Sequence, residues 1–189
     1  MPRPIVLDVD TGTDDALALL YAVRSADLDL RGVSCVAGNA GLEQVVDNTL
    51  KVLDAAGAPE VGVAAGASKP FIERTRPEGA FHGEDGLSGV RLPPTSRTRS
   101  DQRATALLHD RITSSDEPVT LVSLAPMTNV AMLLTLHPDV AEHLERIVFM
   151  GGSASQGNVT AVAEFNVWQD PEAATCVVES GLAVSMYGL

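Results

Sequence analysis

Four aspartates crowd into eight residues, Asp8-Val9-Asp10-Thr11-Gly12-Thr13-Asp14-Asp15. Carboxylates this close repel one another, and the arrangement costs free energy unless a cation or protons compensate. Oxygen ligands of this type suit a hard cation such as calcium or magnesium. Acids also favour a helix N-terminus, by roughly 0.3–1 kcal/mol each, which would account for Asp14 and Asp15 but explains four acids poorly. A cation site is therefore expected. Further polar residues follow other apolar runs: Asn39, Thr128 with Asn129, then Asn158, Glu164 and Asn166. His82 lies in a long loop. Each has a plainer alternative. Asn39 and Asn158 stand near glycines and could form turns, and His82 could be solvated. Glu164 sits among Val162, Ala163 and Phe165, where an acid needs a partner. His109, His137 and His143 read as ordinary helix or helix-end residues, and Trp168 as packing.

The elements that must position these groups alternate. Apolar runs at 5–9, 30–36, 61–64, 119–124, 146–150 and 183–186 are rich in Val, Ile and Leu on both faces, as in buried parallel strands. Between them lie helical patterns at 14–24, 42–56 and 101–114. A fourth begins near Pro126 and stops before Pro138, and a fifth opens at Asp170-Pro171, a cap followed by proline. The second places Leu42, Val45, Val46, Leu50, Leu53 and Ala56 on one face and stops at Gly57. This alternation predicts an α/β fold, an open mostly parallel sheet with helices on both faces. In such sheets ligands bind at the carboxyl ends of the strands, where the polar residues above collect. One segment, 66–100, breaks the rhythm. It is rich in Pro, Gly, Arg and Ser, and a loop of that length is often a lid or else disordered.

The chain has 189 residues, the size of one domain, and is 45% hydrophobic but only 4% aromatic, so Val, Leu, Ala and Ile must fill the core. Its net charge of −12 argues against nucleic acid or an anionic membrane as partner. Cys35 and Cys176 each stand in an apolar stretch without CxxC spacing and read as reduced core cysteines of a cytoplasmic protein. No signal peptide and no apolar stretch of membrane-spanning length is present.

The acidic run resembles the N-terminal DxDxxxDD fingerprint of the inosine-uridine nucleoside hydrolases. Further matches follow in the same order: Val36-Ala37-Gly38-Asn39, His82-Gly83-Glu84, Pro126-Met127-Thr128-Asn129, Met150-Gly151-Gly152, and Asn158 through Asn166 leading to Asp170-Pro171-Glu172-Ala173. The resemblance runs from residue 5 to residue 189. It implies a Rossmann-like fold and hydrolysis of the N-glycosidic bond of ribonucleosides, using a calcium-bound water. Asp10, Asp15 and the backbone carbonyl of Leu124 would hold calcium, and Asp14 would be the general base. Asn39, Asn158, Glu164 and Asn166 would hold ribose hydroxyls, His82 would lie near the base, and Asp8 would support the site. A ribonucleoside substrate and a homo-oligomer, dimer or tetramer, are expected. Family members run well past 300 residues, and their pattern later supplies a His-Asp pair. The 189-residue chain is thus expected to be a single domain incomplete at its C-terminus, turning over poorly by itself.

Two other readings stay open here. Asp8-Val9-Asp10 after a strand also resembles the nucleophile motif of haloacid dehalogenase-type phosphatases. That motif expects Thr or Val where Gly12 stands, and a lysine after a strand that neither Lys51 nor Lys69 supplies. Alternatively the chain is a non-catalytic binding or assembly module.

Overall fold

The computed structural model describes residues 1–72 and 80–189. The apolar runs form six strands: β1 (Arg3–Val9), β2 (Leu28–Cys35), β3 (Gly62–Ala65), β4 (Val119–Ser123), β5 (Leu144–Met150) and β6 (Val184–Tyr187). All five pairings are parallel, in the order β3-β2-β1-β4-β5-β6. This is the doubly wound order, in which the chain leaves β1 in one direction, then returns to build outward from its other side. The crevice between the carboxyl ends of β1 and β4 is its switch point.

Helices α1 (Thr13–Arg24) and α2 (Leu42–Ala55) cover one face, and α3 (Ala104–Thr113), α4 (Thr128–Leu136) and α6 (Pro171–Val178) the other. Strand alternation sorts the side chains. Ile5, Leu7 and Val9 of β1 pack with Leu19 and Leu53, whereas Val6 packs with Leu108, Ile112 and Val130. Such two-sided burial explains why the strands read as continuous apolar runs. Along α2, Val45, Val46, Leu50, Leu53 and Ala56 are buried as expected, and Leu42 is half-buried. Gly57 follows with φ +66°, the left-handed conformation that ends a helix. Asp170 caps α6 by accepting from the Ala173 N–H at 3.1 Å, with Pro171 opening the helix.

Some expectations change. The loop expected from Asn158 to Asn166 ends instead in a short helix, α5 (Phe165–Gln169), so Asn166 is helical. Its five residues are too few to show helical periodicity in sequence. Cys35 is buried, but Cys176 is only half-buried on α6, so it is not a core cysteine; both are free. The long segment 66–100 is partly ordered. The Ser100 N–H donates to the Val63 carbonyl at 2.7 Å, and residues 80–82 form a 3-10 turn. Residues 73–79 of that segment lie outside the described residues. Among the described residues no helix is long and apolar enough to cross a membrane.

Candidate active site

The first loop leaves β1 at the switch point, and β1 delivers one acid, Asp8, into the interior. Asp8 still belongs to the strand, in register with Ser34 of β2 and Ser123 of β4. Its Oδ1 accepts from Ser34 Oγ at 2.5 Å and from Asn129 Nδ2 at 2.8 Å. The same Asn129 amide donates to the Cys35 carbonyl at 3.0 Å, and its Oδ1 accepts from the Ala67 N–H at 2.8 Å. Asp8 and Asn129 therefore tie the ends of β1, β2 and β3 to α4. Asn129 had been noticed in sequence, though without a role.

Asp10 and Asp15 are buried beside one another. Asp10 Oδ2 accepts from the Asn39 N–H at 2.7 Å, and Asp15 Oδ2 from the Gly12 N–H at 2.8 Å. Their other oxygens, Asp10 Oδ1 and Asp15 Oδ1, are buried without a hydrogen-bond partner among the described residues, as is Asp8 Oδ2. Burial pushes Asp8 up to about 7 against its two hydrogen bonds. Burial also pushes Asp10 up to about 7, with Asp14 and Asp8 adding repulsion and the Asn39 N–H opposing. Asp15 is held well above the usual carboxylate range by burial, then by Asp10 and Asp14. Glycine makes the crowding possible, since a Cβ on Gly38 would stand 2.1 Å from Asp10 Oδ2.

A cavity of about 230 Å³ opens at Asp14, the chain neighbour of Asp15, and at Asn39, the partner of Asp10. Asp14, Asn39, His82, Asn158, Glu164 and Asn166 line it together with Leu124, while Phe81, Met150 and Phe165 supply apolar wall. Sequence reasoning missed these three; apolar residues beside a site carry no pattern distinguishing them from core. The cavity beside Arg97, Arg99 and Arg111 is larger, about 530 Å³, but carries none of the clustered aspartates.

The lining groups are held from several elements. His82 Nδ1 lies 2.6 Å from Thr13 Oγ1, and its Nε2 lies 3.4 Å from Asp14 Oδ1. His82 is thus only one-fifth exposed, whereas the Asp14 side chain is 66% exposed and faces the opening. Glu164 has the partners its apolar setting demands. Its Oε1 accepts from the Asn166 N–H at 2.9 Å, and its Oε2 from Gly152 at 2.9 Å and Val167 at 3.2 Å, which makes it the cap of α5. Asn158 is exposed, and its Oδ1 accepts from the Phe165 N–H at 2.9 Å. Asn166 Nδ2 donates to the carbonyls of Leu124 and Met150, both at 3.0 Å.

This donor set fits a hard cation. Two buried carboxylate oxygens lack partners beside a backbone carbonyl at the same sheet edge, and a divalent ion would offset repulsion that otherwise drives protonation. The side-chain amides of Asn39, Asn158 and Asn166 line the cavity beside these acids.

Known proteins resemble this chain along its whole length. The description of the inosine-uridine preferring nucleoside hydrolase family matches residues 5–189. The non-specific ribonucleoside hydrolase RihC of Escherichia fergusonii is 42% identical over all 189 residues, which cover 62% of that protein. The pyrimidine-specific ribonucleoside hydrolase RihA of Photobacterium profundum is 42% identical, with 100% of this chain and 61% of that protein covered. Among solved structures, a purine-preferring ribonucleoside hydrolase from Gardnerella vaginalis superposes with a TM-score of 0.93 at 35% identity, covering 99% of this chain and 61% of that one. The chain belongs to the inosine-uridine preferring nucleoside hydrolase family, and it spans about three fifths of the length of these relatives. The phosphatase resemblance falls with that assignment.

Proposed function

We propose that the site serves hydrolysis of the N-glycosidic bond of ribonucleosides, releasing base and ribose. The observation that carries this reading is the pair of unpartnered buried oxygens, Asp10 Oδ1 and Asp15 Oδ1, joined through Asn39 and Asp14 to a cavity that Asn158, Glu164 and Asn166 also line. Asp10, Asp15 and the Leu124 carbonyl would hold calcium. When bound, calcium supplies a template for vicinal hydroxyls and lowers the pKa of water. The amides and Glu164 would bind the ribose hydroxyls and fix the sugar ring. Asp14 faces the opening, where it can accept a proton from the attacking water. Cleavage develops oxocarbenium character on the ribose, which the surrounding carboxylates stabilise. His82, anchored by Thr13, would stand beside the departing base.

One observation favours a second assignment of the base. Asp10 Oδ1 is free and buried, whereas Asp14 is exposed and already near His82. In this version Asp10 accepts the proton and Asp14 binds a ribose hydroxyl.

The relatives' names include non-specific, pyrimidine-specific and purine-preferring enzymes, so the resemblance points to ribose rather than to a particular base. The test is release of free base from inosine and uridine with calcium present. It is run on the 189-residue chain and on a longer form that continues to the length of its relatives. The longer form is expected to release both ribose and base, and to stop when calcium is chelated. Release that continues unchanged in excess chelator contradicts the reading.

A further inference from the structure

Two of the chain's four histidines lie far from the cavity and meet each other. His109 belongs to the second half of α3. His137 follows the last residue of α4, and Pro138 then opens a 3-10 turn over Pro138–Glu142 that carries Asp139. In a parallel sheet these helices run back toward the amino ends of the strands, so the trio stands at the opposite end of the sheet from the aspartate cluster.

The imidazole rings of His109 and His137 have centroids 4.5 Å apart, tilted by 34°. His109 Nε2 lies 2.8 Å from Asp139 Oδ2. One ligand atom from each of His109, His137 and Asp139 falls within 4.8 Å of the others. A sequence reading of each histidine as an ordinary helix or helix-end residue could not see this, because the three ligands come from α3, the end of α4 and a turn.

We propose that His109, His137 and Asp139 form a second metal site, taking a zinc-class divalent cation rather than the hard cation of the aspartate cluster. Imidazole nitrogen with one carboxylate is a donor set of borderline softness, suited to zinc, cobalt or nickel. Three protein ligands leave the fourth tetrahedral position open to water. The surroundings supply what an isolated surface trio lacks. With Nε2 on the metal, His109 would carry its remaining proton on Nδ1, which lies 3.5 Å from Asp110 Oδ1. Asp110 is itself held, since its Oδ2 accepts from Gln102 Nε2 at 2.7 Å. A carboxylate behind a ligating histidine fixes its tautomer and ring orientation. The C-terminal end of α4, at His137, adds negative dipole character that favours a cation. The metal would take the place of the hydrogen bond between His109 Nε2 and Asp139, with the Nε2 proton released to solvent from a protonated ring or moved to Nδ1 in a neutral one.

The test is titration of the 189-residue chain with zinc chloride and with cobalt(II), both with calcium in excess to keep the aspartate cluster out of competition. One zinc per chain is expected, and the cobalt form should show the intense visible absorption of tetrahedral coordination. His109→Gln with His137→Gln should abolish both signals while leaving calcium binding and the circular dichroism spectrum unchanged. Asp110→Asn touches no metal and is expected to weaken zinc by roughly 10–100-fold. In the proton NMR spectrum of the wild type, cobalt should broaden the His109 and His137 ring signals before those of His82. Failure of the wild type to bind zinc at micromolar concentration overturns the proposal. So does a double variant that binds zinc as the wild type does. Neither result bears on the calcium site or on nucleoside hydrolysis.

Discussion

At the residue scale, acids of one sequence motif have been given different environments. Asp8, Asp10 and Asp15 are each buried with one unpartnered oxygen, but the other oxygen of Asp8 is held by side chains, Ser34 and Asn129, whereas those of Asp10 and Asp15 are held by backbone N–H groups; Asp14 faces the opening. Such differences let like residues take unlike roles. Replacing Asp14 by Asn keeps a hydrogen-bonding group but removes the ability to take a proton. If Asp14 is the base, the variant in the longer form should bind ribose normally and lose roughly 10²–10⁴-fold in kcat. If Asp10 is the base, Asp14→Asn should chiefly raise KM. Steady-state kinetics on that variant separate the two, and a variant within a few-fold of wild type in both constants removes Asp14 from the site. The acids themselves were legible in sequence because four carboxylates in eight residues have few structural explanations. Their division of labour was not, because it depends on Asn39, Gly38 and Asn129, which the chain brings in from other elements.

At the scale of elements, β1 carries a carboxyl inside the sheet. Burial pushes the Asp8 carboxyl up from 3.8 to about 7 in the folded protein. The folded state therefore holds a proton that the unfolded chain gives up first. This contribution to stability is complete below pH 3.8 and is lost as pH rises through about 7. Asp10 and Asp15 shift in the same direction. Calcium-free protein is thus expected to melt at a lower temperature at pH 8 than at pH 5.5. Added calcium should raise the melting temperature more at pH 8, where it no longer competes with protons. Differential scanning calorimetry at the two pH values checks this; a calcium-free protein more stable at pH 8 would refute the burial argument. The strands and long helices were readable from their apolar runs and caps. The short helix α5 was not, because Glu164 acts both as its cap and as part of the cavity wall, and a sequence displays only an acid among apolar neighbours.

For the whole molecule, the order β3-β2-β1-β4-β5-β6 does what the motifs alone could not. It places the first loop, the end of β4 and the residues after β5 around one crevice. Alternating β and α patterns announced a parallel sheet but left its strand order open, since order is set by which helix packs on which face. At one edge, β6 leaves Met186 52% and Tyr187 71% exposed. An open apolar strand edge favours pairing with another chain. Sedimentation velocity of the 189-residue chain should reveal concentration-dependent association, reduced in Met186→Lys with Tyr187→Lys; association unchanged by that pair would place the contact elsewhere. The central claim, though, concerns the cation that reconciles the buried acids. Calorimetric titration of the 189-residue chain with calcium at pH 8 tests it most directly. One calcium site is expected, lost in Asp10→Asn and in Asp15→Asn but kept in the His109→Gln, His137→Gln double variant. A wild type that binds no calcium, or aspartate variants whose isotherms match it, would contradict the account.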